Sequence, residues 1–357
     1  MELFVPQLIY LESMAKEEPL AREILLSLSG ARVYEIRDHR RLDSEAVPLK
    51  AYDPGIKQRA LVLAHNPGPF IRPFRPLAED KAGADLFISH ANGCPFDCQY
   101  CFLQCYFSHG APVLFVNQQE LLQELSDRLE APAAAGQVTY HAGELSDALA
   151  LERWSGFAAR AVELFRGHPE AVLELRTKCV EVEPLLPDHP PENVVCSWTL
   201  TPVQAWRRFE AGTPDPRARL ATARACREKG YRIGVRLDPA LLFPGWQEGY
   251  EELMRLAFQA LPPGEIDSFV VGGFRYPAGL AARIRERFPE STLLLEELVP
   301  CPDGKHRYFR PLRVALYRKI LREIRRYDEQ VPVRLCMESE RVRGEAGIGC
   351  DGRTEAG

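Results

Sequence analysis

Three cysteines lie within residues 93–102, Gly-Cys-Pro-Phe-Asp-Cys-Gln-Tyr-Cys-Phe, with the spacing C-x3-C-x2-C. Thiolates from Cys94, Cys98 and Cys101 can hold three irons of a [4Fe-4S] cluster and leave the fourth iron without a protein ligand. An iron with an open position can bind a small molecule and pass it an electron. The spacing therefore predicts a redox reaction centre, with these three cysteines as its metal ligands.

The same cysteines are also compatible with a second kind of metal site. Together with Cys105, the three cysteines offer four sulfur ligands for a closed tetrahedral zinc site, which would make the protein a non-catalytic nucleic-acid-binding module. Zinc sites usually take their ligands from two separated C-x2-C pairs rather than from one turn. Because four zinc ligands would be crowded into one turn, the pattern favours the iron–sulfur interpretation. The turn formed by Gly93 and Pro95 argues against a third interpretation, buried thiols that cluster by coincidence.

Length and composition limit the class of protein that carries this loop. The 357 residues, 46% of them hydrophobic, can bury a large core in one large domain or two smaller ones. The net charge of −5 gives no overall electrostatic reason to bind nucleic acid. The sequence predicts neither a secretory signal nor a membrane span. Ten cysteines in such a chain predict a cytoplasmic protein whose thiolates bind metal.

Short apolar runs alternate with helical patterns along most of the chain, and they are the elements that must position the cysteine loop. The predicted strands are residues 85–90, 137–142, 171–176, 194–200, 232–237 and 266–271. The predicted helices are residues 118–129, 155–166, 217–229, 248–259 and 280–287. This alternation predicts an α/β fold, a partial (β/α)6 barrel of parallel strands. Ligands bind where such strands end, and the cysteine loop directly follows the first strand.

The sequence predicts four segments. Residues 1–82 form an N-terminal extension with a proline-rich connector, and residues 83–300 form the partial barrel. Residues 301–343 form a basic, helical C-terminal segment, and residues 344–357 form a flexible glycine-rich tail.

The basic C-terminal segment has the pattern of an amphipathic helix. Apolar residues recur every four positions, so a helix would bury this stripe and expose its arginines. The residues of the stripe are Leu312, Leu316, Ile320 and Ile324. Such a face can neutralise phosphates, and Tyr308 and Phe309 can stack on an extruded base. The predicted partner is therefore DNA or another nucleic acid.

The cysteine loop resembles the cluster loop of the radical S-adenosylmethionine (radical SAM) enzymes. In addition, Ala142-Gly143-Glu144 at the end of the second predicted strand resembles their Gly-Gly-Glu motif, whose backbone and carboxylate meet the ammonium group of SAM. Small residues allow close backbone approach, and a carboxylate pairs with an ammonium group. The resemblance implies a [4Fe-4S] cluster and SAM as cofactors. Further candidates for contacts to the SAM carboxylate or ribose are Ser146, Lys178 and Ser197.

A longer set of segments, within roughly residues 82–340, resembles the spore photoproduct lyase family. They are residues 94–104, 144–147, 177–178, 197–200, 239, 244–246, 248–250 and 335–339. These radical SAM enzymes repair a thymine dimer (5-thyminyl-5,6-dihydrothymine) in DNA. Their deoxyadenosyl radical takes a hydrogen from C6 of the lesion, which fragments to two thymines, and a hydrogen is returned. The resemblance implies a carbon–carbon lyase of DNA repair with an electron donor such as flavodoxin or ferredoxin.

Two positions depart from the family pattern. Where the family has a hydrogen-donating cysteine this chain has Glu144, and Phe102 replaces the second of two relay tyrosines, of which Tyr100 is kept. Phenylalanine has no phenolic hydrogen to give. Tyr100 and Cys105 are the predicted catalytic residues, but several alternatives stay open. One alternative is that Tyr106 or another thiol replaces the missing donor. Another is that SAM is consumed as a co-substrate, and a third is that the substrate is a different nucleotide, an RNA or a peptide.

Overall fold

The structure is a computed structural model that describes residues 4–44, 55–74, 85–107, 109–131, 137–180, 182 and 186–348. The chain forms two compact units. The first comprises Met1–Phe74, Gly83–Asp97 and Leu103–Val194, and the second comprises Arg75–Ala82, Cys98–Phe102 and Val195–Gly357. These boundaries differ from those of the four predicted segments. The predicted N-terminal extension lies mostly in one unit with the first three predicted barrel strands, and the predicted tail beyond residue 348 lies outside the described residues.

Strands and helices alternate through both units. The strands are β1 (Leu8–Glu12), β2 (Arg32–Ile36), β3 (Ala60–Ala64), β4 (Ile71–Pro73), β5 (Leu86–Ile88), β6 (Ala91–Asn92), β7 (Asp97–Cys98), β8 (Val113–Phe115), β9 (Val138–Ala142), β10 (Ala171–Thr177), β11 (Val194–Thr199), β12 (Glu210–Ala211), β13 (Arg232–Ala240), β14 (Ile266–Gly273), β15 (Arg275–Tyr276), β16 (Leu298–Pro300), β17 (His306–Tyr308) and β18 (Val333–Leu335). The α-helices are α1 (Pro19–Ser27), α2 (Ile56–Arg59), α3 (Gln118–Glu130), α4 (Glu152–Ser155), α5 (Phe157–Phe165), α6 (Val203–Phe209), α7 (Pro216–Glu228), α8 (Trp246–Ala260), α9 (Leu280–Arg287), α10 (Arg310–Arg325) and α11 (Glu340–Ala346). In the described part of the chain, none of these helices is long and apolar enough to cross a membrane.

The first unit begins with a sheet that the sequence did not predict. Its strand order is β2-β1-β3-β8-β6, parallel except for the edge strand β6. Strand β3 is buried along its whole length, as expected for a parallel strand covered on both faces. Ile9, Leu61 and Leu114 from the sheet pack with Ile24 from α1 in one apolar cluster. The N-terminal region is therefore a folded α/β sheet rather than only an extension leading to the barrel.

The first unit also holds the first three predicted barrel strands. Strand β9 pairs in parallel with both β5 and β10, and β4 is added antiparallel to β5. Helix α3 precedes β9, and its residues Leu121, Leu125 and Leu129 are buried at the four-residue spacing of an amphipathic helix. The carboxyl ends of β5 and β9 lead into the cysteine loop and the Gly143-Glu144 turn.

The second unit holds the remaining predicted strands. Strands β11, β13, β14 and β18 are parallel in that order, and β18 was not predicted from the sequence. Helices α7, α8 and α10 precede β13, β14 and β18, so each strand is reached through a helical connection. All six predicted strands are present, with bounds within a few residues of the prediction. A small antiparallel sheet, β15-β17-β16, completes this unit.

Helix α10 buries Leu316, Ile320 and Ile324 of its predicted apolar stripe, whereas Leu312 is half-buried. Several of its cationic groups are paired with acids. Arg313 is buried and pairs with Glu338 at 3.0 Å. Lys319 and Arg326 pair with the buried Glu323 at 2.8 and 2.7 Å. These three cations were assigned to phosphate binding from the sequence, but each is paired with an acid. Glu323 lies on the same helix as Lys319, and Glu338 comes from the segment after β18.

The prediction that Tyr308 stacks on a base is wrong. Its ring is fully buried, and its hydroxyl oxygen accepts a hydrogen bond from the backbone N–H of Leu242 at 3.1 Å. The adjacent Phe309 is 42% exposed, so stacking by Phe309 remains a prediction. Tyr308 is the last residue of β17, whereas Phe309 lies beyond the strand at the start of α10.

Candidate active site

The first cluster cysteine is positioned through the residue before it. Gly93, with φ of +72°, donates its N–H to the carbonyl of Leu145 at 2.7 Å. Its own carbonyl accepts a hydrogen bond from the hydroxyl of Ser146, also at 2.7 Å. Cys94 follows directly and is half-buried. The turn after β9 therefore holds the start of the cysteine loop by two hydrogen bonds.

That turn is fixed in its place by Gly143 and Asp147. Gly143 has φ of +103°, and a Cβ added to it would lie 2.6 Å from the carbonyl oxygen of Arg176. The Asp147 carboxylate accepts hydrogen bonds from the Thr177 hydroxyl and the Lys178 N–H, both at 2.7 Å. It also caps the following turn through the Leu149 N–H at 3.0 Å. Asp147 therefore ties the end of β9 to the end of β10.

A chain of charged side chains runs from the turn after β9 across β10 and β9 to Asp85, directly before β5. Glu144 accepts from Arg176 at 3.1 Å, and Arg176 also donates to Glu174 at 2.8 Å. His141 lies between Glu174, at 2.6 Å, and Asp85, at 3.2 Å. Arg176 thus shares its charge between two carboxylates. The Glu144 carboxylate, 28% exposed, is held where it can accept hydrogen bonds from an ammonium group.

Cys98 and Cys101, the other two predicted cluster ligands, belong to the second unit. Cys98 is buried, and the N–H of the next residue, Gln99, donates to the carbonyl of Phe209 at 2.8 Å. The N–H of Cys101 donates to the carbonyl of Cys98 at 3.2 Å, which forms a tight turn between the two thiols. Cys101 is half-buried. This turn is held at the segment just before β12.

Tyr100 belongs to a buried hydrogen-bond network. Its hydroxyl donates to the carboxylate of Glu210, which also accepts from the Thr201 hydroxyl at 2.6 Å. Glu210 forms an ion pair with Arg219, and both of these side chains are fully buried. Burial, and then the charge of Glu210, raise the pKa of Tyr100 well above its ordinary value. Sequence reasoning missed Glu210 and Arg219 because a charged residue at or near a helix end usually faces solvent.

A third group lies at the carboxyl ends of β13, β14 and β18. Burial alone would raise the pKa of Asp238, but its ion pair with Arg275 at 2.8 Å lowers it to about 2. Arg275 also donates to the sulfur of Cys336 at 3.3 Å. Burial, and then the charge of Asp238, raise the pKa of Cys336 to about 11, so its thiol keeps its hydrogen at neutral pH.

Comparison with known proteins identifies the family. A family model described as spore photoproduct lyase matches residues 4–300. The chain belongs to the spore photoproduct lyase family. Spore photoproduct lyase of Bacillus subtilis (strain 168) is 25% identical over 299 residues, which are 82% of this chain and 85% of the relative. The enzyme of Geobacillus sp. (strain Y412MC61) is 23% identical over 303 residues, which are 83% of this chain and 86% of the relative.

Solved structures confirm the predicted fold. A spore photoproduct lyase mutant with bound AdoMet and dinucleoside spore photoproduct matches with a TM-score of 0.79 at 21% identity. The match covers 94% of this chain and 99% of that chain. The predicted α/β partial barrel of the radical SAM type is therefore confirmed for this member of the spore photoproduct lyase family.

The cysteine loop of this family member fits an iron–sulfur cluster. Cys94 and Cys101 are half-buried and Cys98 is buried, and each carries a thiol that can supply a thiolate ligand. The backbone around each of them is fixed by hydrogen bonds to neighbouring segments, as described above. Cys105 is exposed in a short 3-10 helix, Phe102–Cys105.

The other predicted cofactor residues occupy different positions at the strand ends. Ala142 is fully buried in β9, where it pairs with Leu175 of β10. The Ser146 hydroxyl hydrogen is engaged by Gly93, which gives Ser146 a positioning role in the cysteine loop. Ser197 is buried in β11, opposite Gly234 of β13, and Lys178 is half-buried after β10. Contacts of these residues with SAM remain predictions.

The contact between Ser197 and Gly234 gives a testable prediction. A Cβ added to Gly234 would overlap the Ser197 hydroxyl, so Gly234→Ala should destabilise the protein by about 2 kcal/mol, as overpacking does. Ser197→Ala removes that oxygen, and the double variant should therefore regain most of the stability lost by Gly234→Ala. Urea denaturation of both single variants and the double variant measures this coupling. Additive losses would show that the side chains do not meet.

Proposed function

We propose that the protein is a radical SAM lyase that cleaves a thymine-dimer-type photoproduct in DNA. The observation that carries this proposal is a three-cysteine loop fixed by Ser146 and Leu145 at the carboxyl ends of parallel strands, in a chain of the spore photoproduct lyase family. Ligands of α/β barrels bind at this end of the strands. A related structure, of a spore photoproduct lyase mutant, holds AdoMet and dinucleoside spore photoproduct.

Each residue of the site has a separate task in this proposal. Cys94, Cys98 and Cys101 would hold the [4Fe-4S] cluster, and the Gly143-Glu144 turn would receive the amino end of SAM. When bound, the cluster and SAM supply a 5′-deoxyadenosyl radical that takes a hydrogen from the lesion. The protein orients the reactants and excludes water from them. Asp147 and Ser146 act by positioning the two turns against each other.

The source of the returned hydrogen is the open step, because Glu144 has no hydrogen that a thymine radical can take. We propose Cys336 for this task. Its thiol is protonated, half-buried and held by Arg275 at the carboxyl end of β18. The next residue, Met337, has φ of +54°, a strained conformation for a residue other than glycine, and such strain tends to occur at functional sites. Cys105 is the alternative thiol.

The two thiols can be separated by product ratios. Cys336→Ala should raise the amount of 5′-deoxyadenosine formed per thymine dinucleotide released and should increase abortive products, whereas Cys105→Ala should leave both unchanged. The opposite pattern would assign the hydrogen to Cys105. The buried Cys226→Ala variant, in α7, serves as a control for loss of a thiol from the core.

Changing Glu144 gives a further prediction. Glu144→Cys places a thiol at the position where the family resemblance expects a hydrogen donor, so less 5′-deoxyadenosine should be formed per thymine dinucleotide released. Glu144→Gln is the matched control, since it removes the charge facing Arg176 without adding a thiol. Liquid chromatography of both products measures the ratio. An equal ratio in the two variants would contradict a donor role for this position.

The reaction itself is tested with anaerobically reconstituted protein, dithionite, SAM and dinucleoside spore photoproduct. We expect 5′-deoxyadenosine and thymine dinucleotide to appear together, and Cys94→Ala to lose iron and both products. Cleavage of SAM without thymine release would point to a different nucleotide, an RNA or a peptide as substrate. A colourless protein that binds zinc and no iron would end the enzyme proposal and favour a zinc-binding nucleic-acid module.

The proposal extends to partners and location. A small electron-transfer protein such as flavodoxin or ferredoxin would supply the electron, and damaged DNA would be the nucleic-acid partner. A cytoplasmic location is supported by the ten cysteines of the chain, since a reducing compartment keeps thiolates available for metal binding.

A further inference from the structure

A second group of metal-ligand side chains lies in the N-terminal sheet, outside the proposed active site. It consists of Glu18, His65 and Glu120, each of which places one ligand atom within 4.8 Å of the ligand atoms of the other two. Glu18 precedes α1, His65 follows β3, and Glu120 lies in the first turn of α3. The group therefore gathers three separate elements at the carboxyl edge of the parallel strands, where α/β sheets bind ligands.

The imidazole of His65 is held between the two carboxylates by its surroundings. Its Nδ1 lies 3.3 Å from Glu18, and its backbone N–H donates to Glu12 at 2.9 Å. The side-chain nitrogen of Asn117 lies 3.4 Å from His65 Nε2 and donates to Glu120 at 3.0 Å. Asn117 is itself fixed by two hydrogen bonds with the backbone of Asn66. Glu120 and His65 thus both contact one immobilised amide.

The two carboxylates lack the cations that neutralise many other acids of this unit. In the described ranges, neither Glu18 nor Glu120 forms an ion pair with lysine or arginine, whereas the neighbouring Glu17 pairs with Arg22. Glu12, whose carboxylate bonds the His65 N–H, adds a third negative charge nearby. A cation bound between these side chains would balance the excess of negative charge.

We propose that Glu18, His65 and Glu120 bind a divalent first-row transition-metal ion. Such ions take imidazole nitrogen and carboxylate oxygen ligands at about 2.0–2.2 Å, as zinc sites show, so neighbouring ligand atoms lie roughly 3–3.5 Å apart. The ligand atoms lie within 4.8 Å of one another, and the exposed Glu120 side chain can move inwards to close that spacing. The imidazole disfavours magnesium and calcium, which prefer oxygen ligands.

Bound metal would join the starts of α1 and α3 to the end of β3. The nearby group of Glu12, Asp38 and His39 is a weaker candidate, because Glu12 already accepts three N–H hydrogen bonds from His39 and His65. Because the ion would join three elements of the N-terminal sheet, its proposed role is to stabilise the fold and not to take part in the chemistry of the cysteine loop.

Manganese tests the proposal, because it is a divalent first-row transition metal that prefers carboxylate oxygen to thiolate sulfur, so the cysteine loop competes least for it. Cluster-loaded protein is titrated with Mn²⁺ alone, and free Mn²⁺ is measured by electron paramagnetic resonance. We expect one saturable site per chain and a rise in melting temperature, since the ion binds only the folded state. His65→Ala and Glu120→Gln should each weaken binding by more than about 10-fold, the least that even an outer-shell partner contributes to metal sites.

His168→Ala is the matched control. His168 lies 3.3 Å from Glu170, the same separation as between His65 and Glu18, but no third ligand completes that pair in the described residues. Its variant should bind Mn²⁺ like the unmodified protein. The proposal is overturned if no saturable site appears, or if His65→Ala and Glu120→Gln both bind Mn²⁺ as tightly as the control. Glu120→Gln changes an exposed side chain, so it decides the outcome even if His65→Ala folds poorly.

Discussion

Gly143→Ala is expected to destabilise the protein by about 3–5 kcal/mol and to abolish retention of iron. A left-handed backbone costs a residue with a Cβ about 1–2 kcal/mol. The Arg176 carbonyl, only 2.6 Å from the added atom, forces the turn to move and adds to this loss. Because that turn bonds Gly93 through Leu145 and Ser146, its displacement also releases the first cluster cysteine. Urea denaturation and iron analysis measure the two effects.

Gly279→Ala is the matched control for this variant. Gly279 has φ of +89°, but a Cβ added there would meet no atom within 4 Å. It should therefore lose only the backbone contribution of about 1–2 kcal/mol and keep its iron. Equal losses in the two variants would show that the contact with Arg176 does not fix the turn.

Arg219→Ala is expected to cost about 3–5 kcal/mol, because it leaves the carboxylate of Glu210 charged and buried without its partner. Arg219 also donates to the carbonyls of Pro214 and Thr199, both at 2.9 Å, so the variant leaves further buried acceptors unpaired. Glu210 should then move or take up a proton, and Tyr100 should lose its fixed orientation. The midpoint of urea denaturation and the fluorescence of the tyrosines measure these changes.

Arg255→Ala controls for the loss of an arginine from an ion pair. Arg255 pairs with Glu252 at 2.7 Å, but both side chains are largely exposed on α8. Exposed pairs contribute little, so the denaturation midpoint should not change measurably. If Arg219→Ala were as stable as Arg255→Ala, the buried pair would not hold the segment around Tyr100.

The sequence predicted the six principal strands because each is an apolar run between helical patterns of ordinary length. It did not predict the N-terminal sheet, whose strand β8 lies some fifty residues after β3 and has only three residues. Parallel pairing between such distant and short strands leaves no local periodicity to detect. Strand β18 was missed for the same reason, since Val333–Leu335 is too short to show a pattern.

The basic C-terminal segment shows the limit of reading charge from one stretch of chain. Its cations outnumber its acids in sequence, but Glu338 and Glu251 reach it from elsewhere in the second unit. By contrast, the cysteine spacing alone is enough to predict metal ligands, because ligands of one cluster can be close in sequence, and that assignment stays a prediction. The Glu210–Arg219 pair could not be predicted, since burial of a charge depends on tertiary packing.

The turn after β9 separates scaffold from chemistry at neighbouring positions. Gly143 supplies the backbone conformation, and Leu145, Ser146 and Asp147 supply the hydrogen bonds that fix the cysteine loop and β10. The side chain at position 144 takes no part in that scaffold apart from its contact with Arg176. Mutations at this position can therefore explore new reactivity over evolutionary time while the metal-binding loop beside it stays intact.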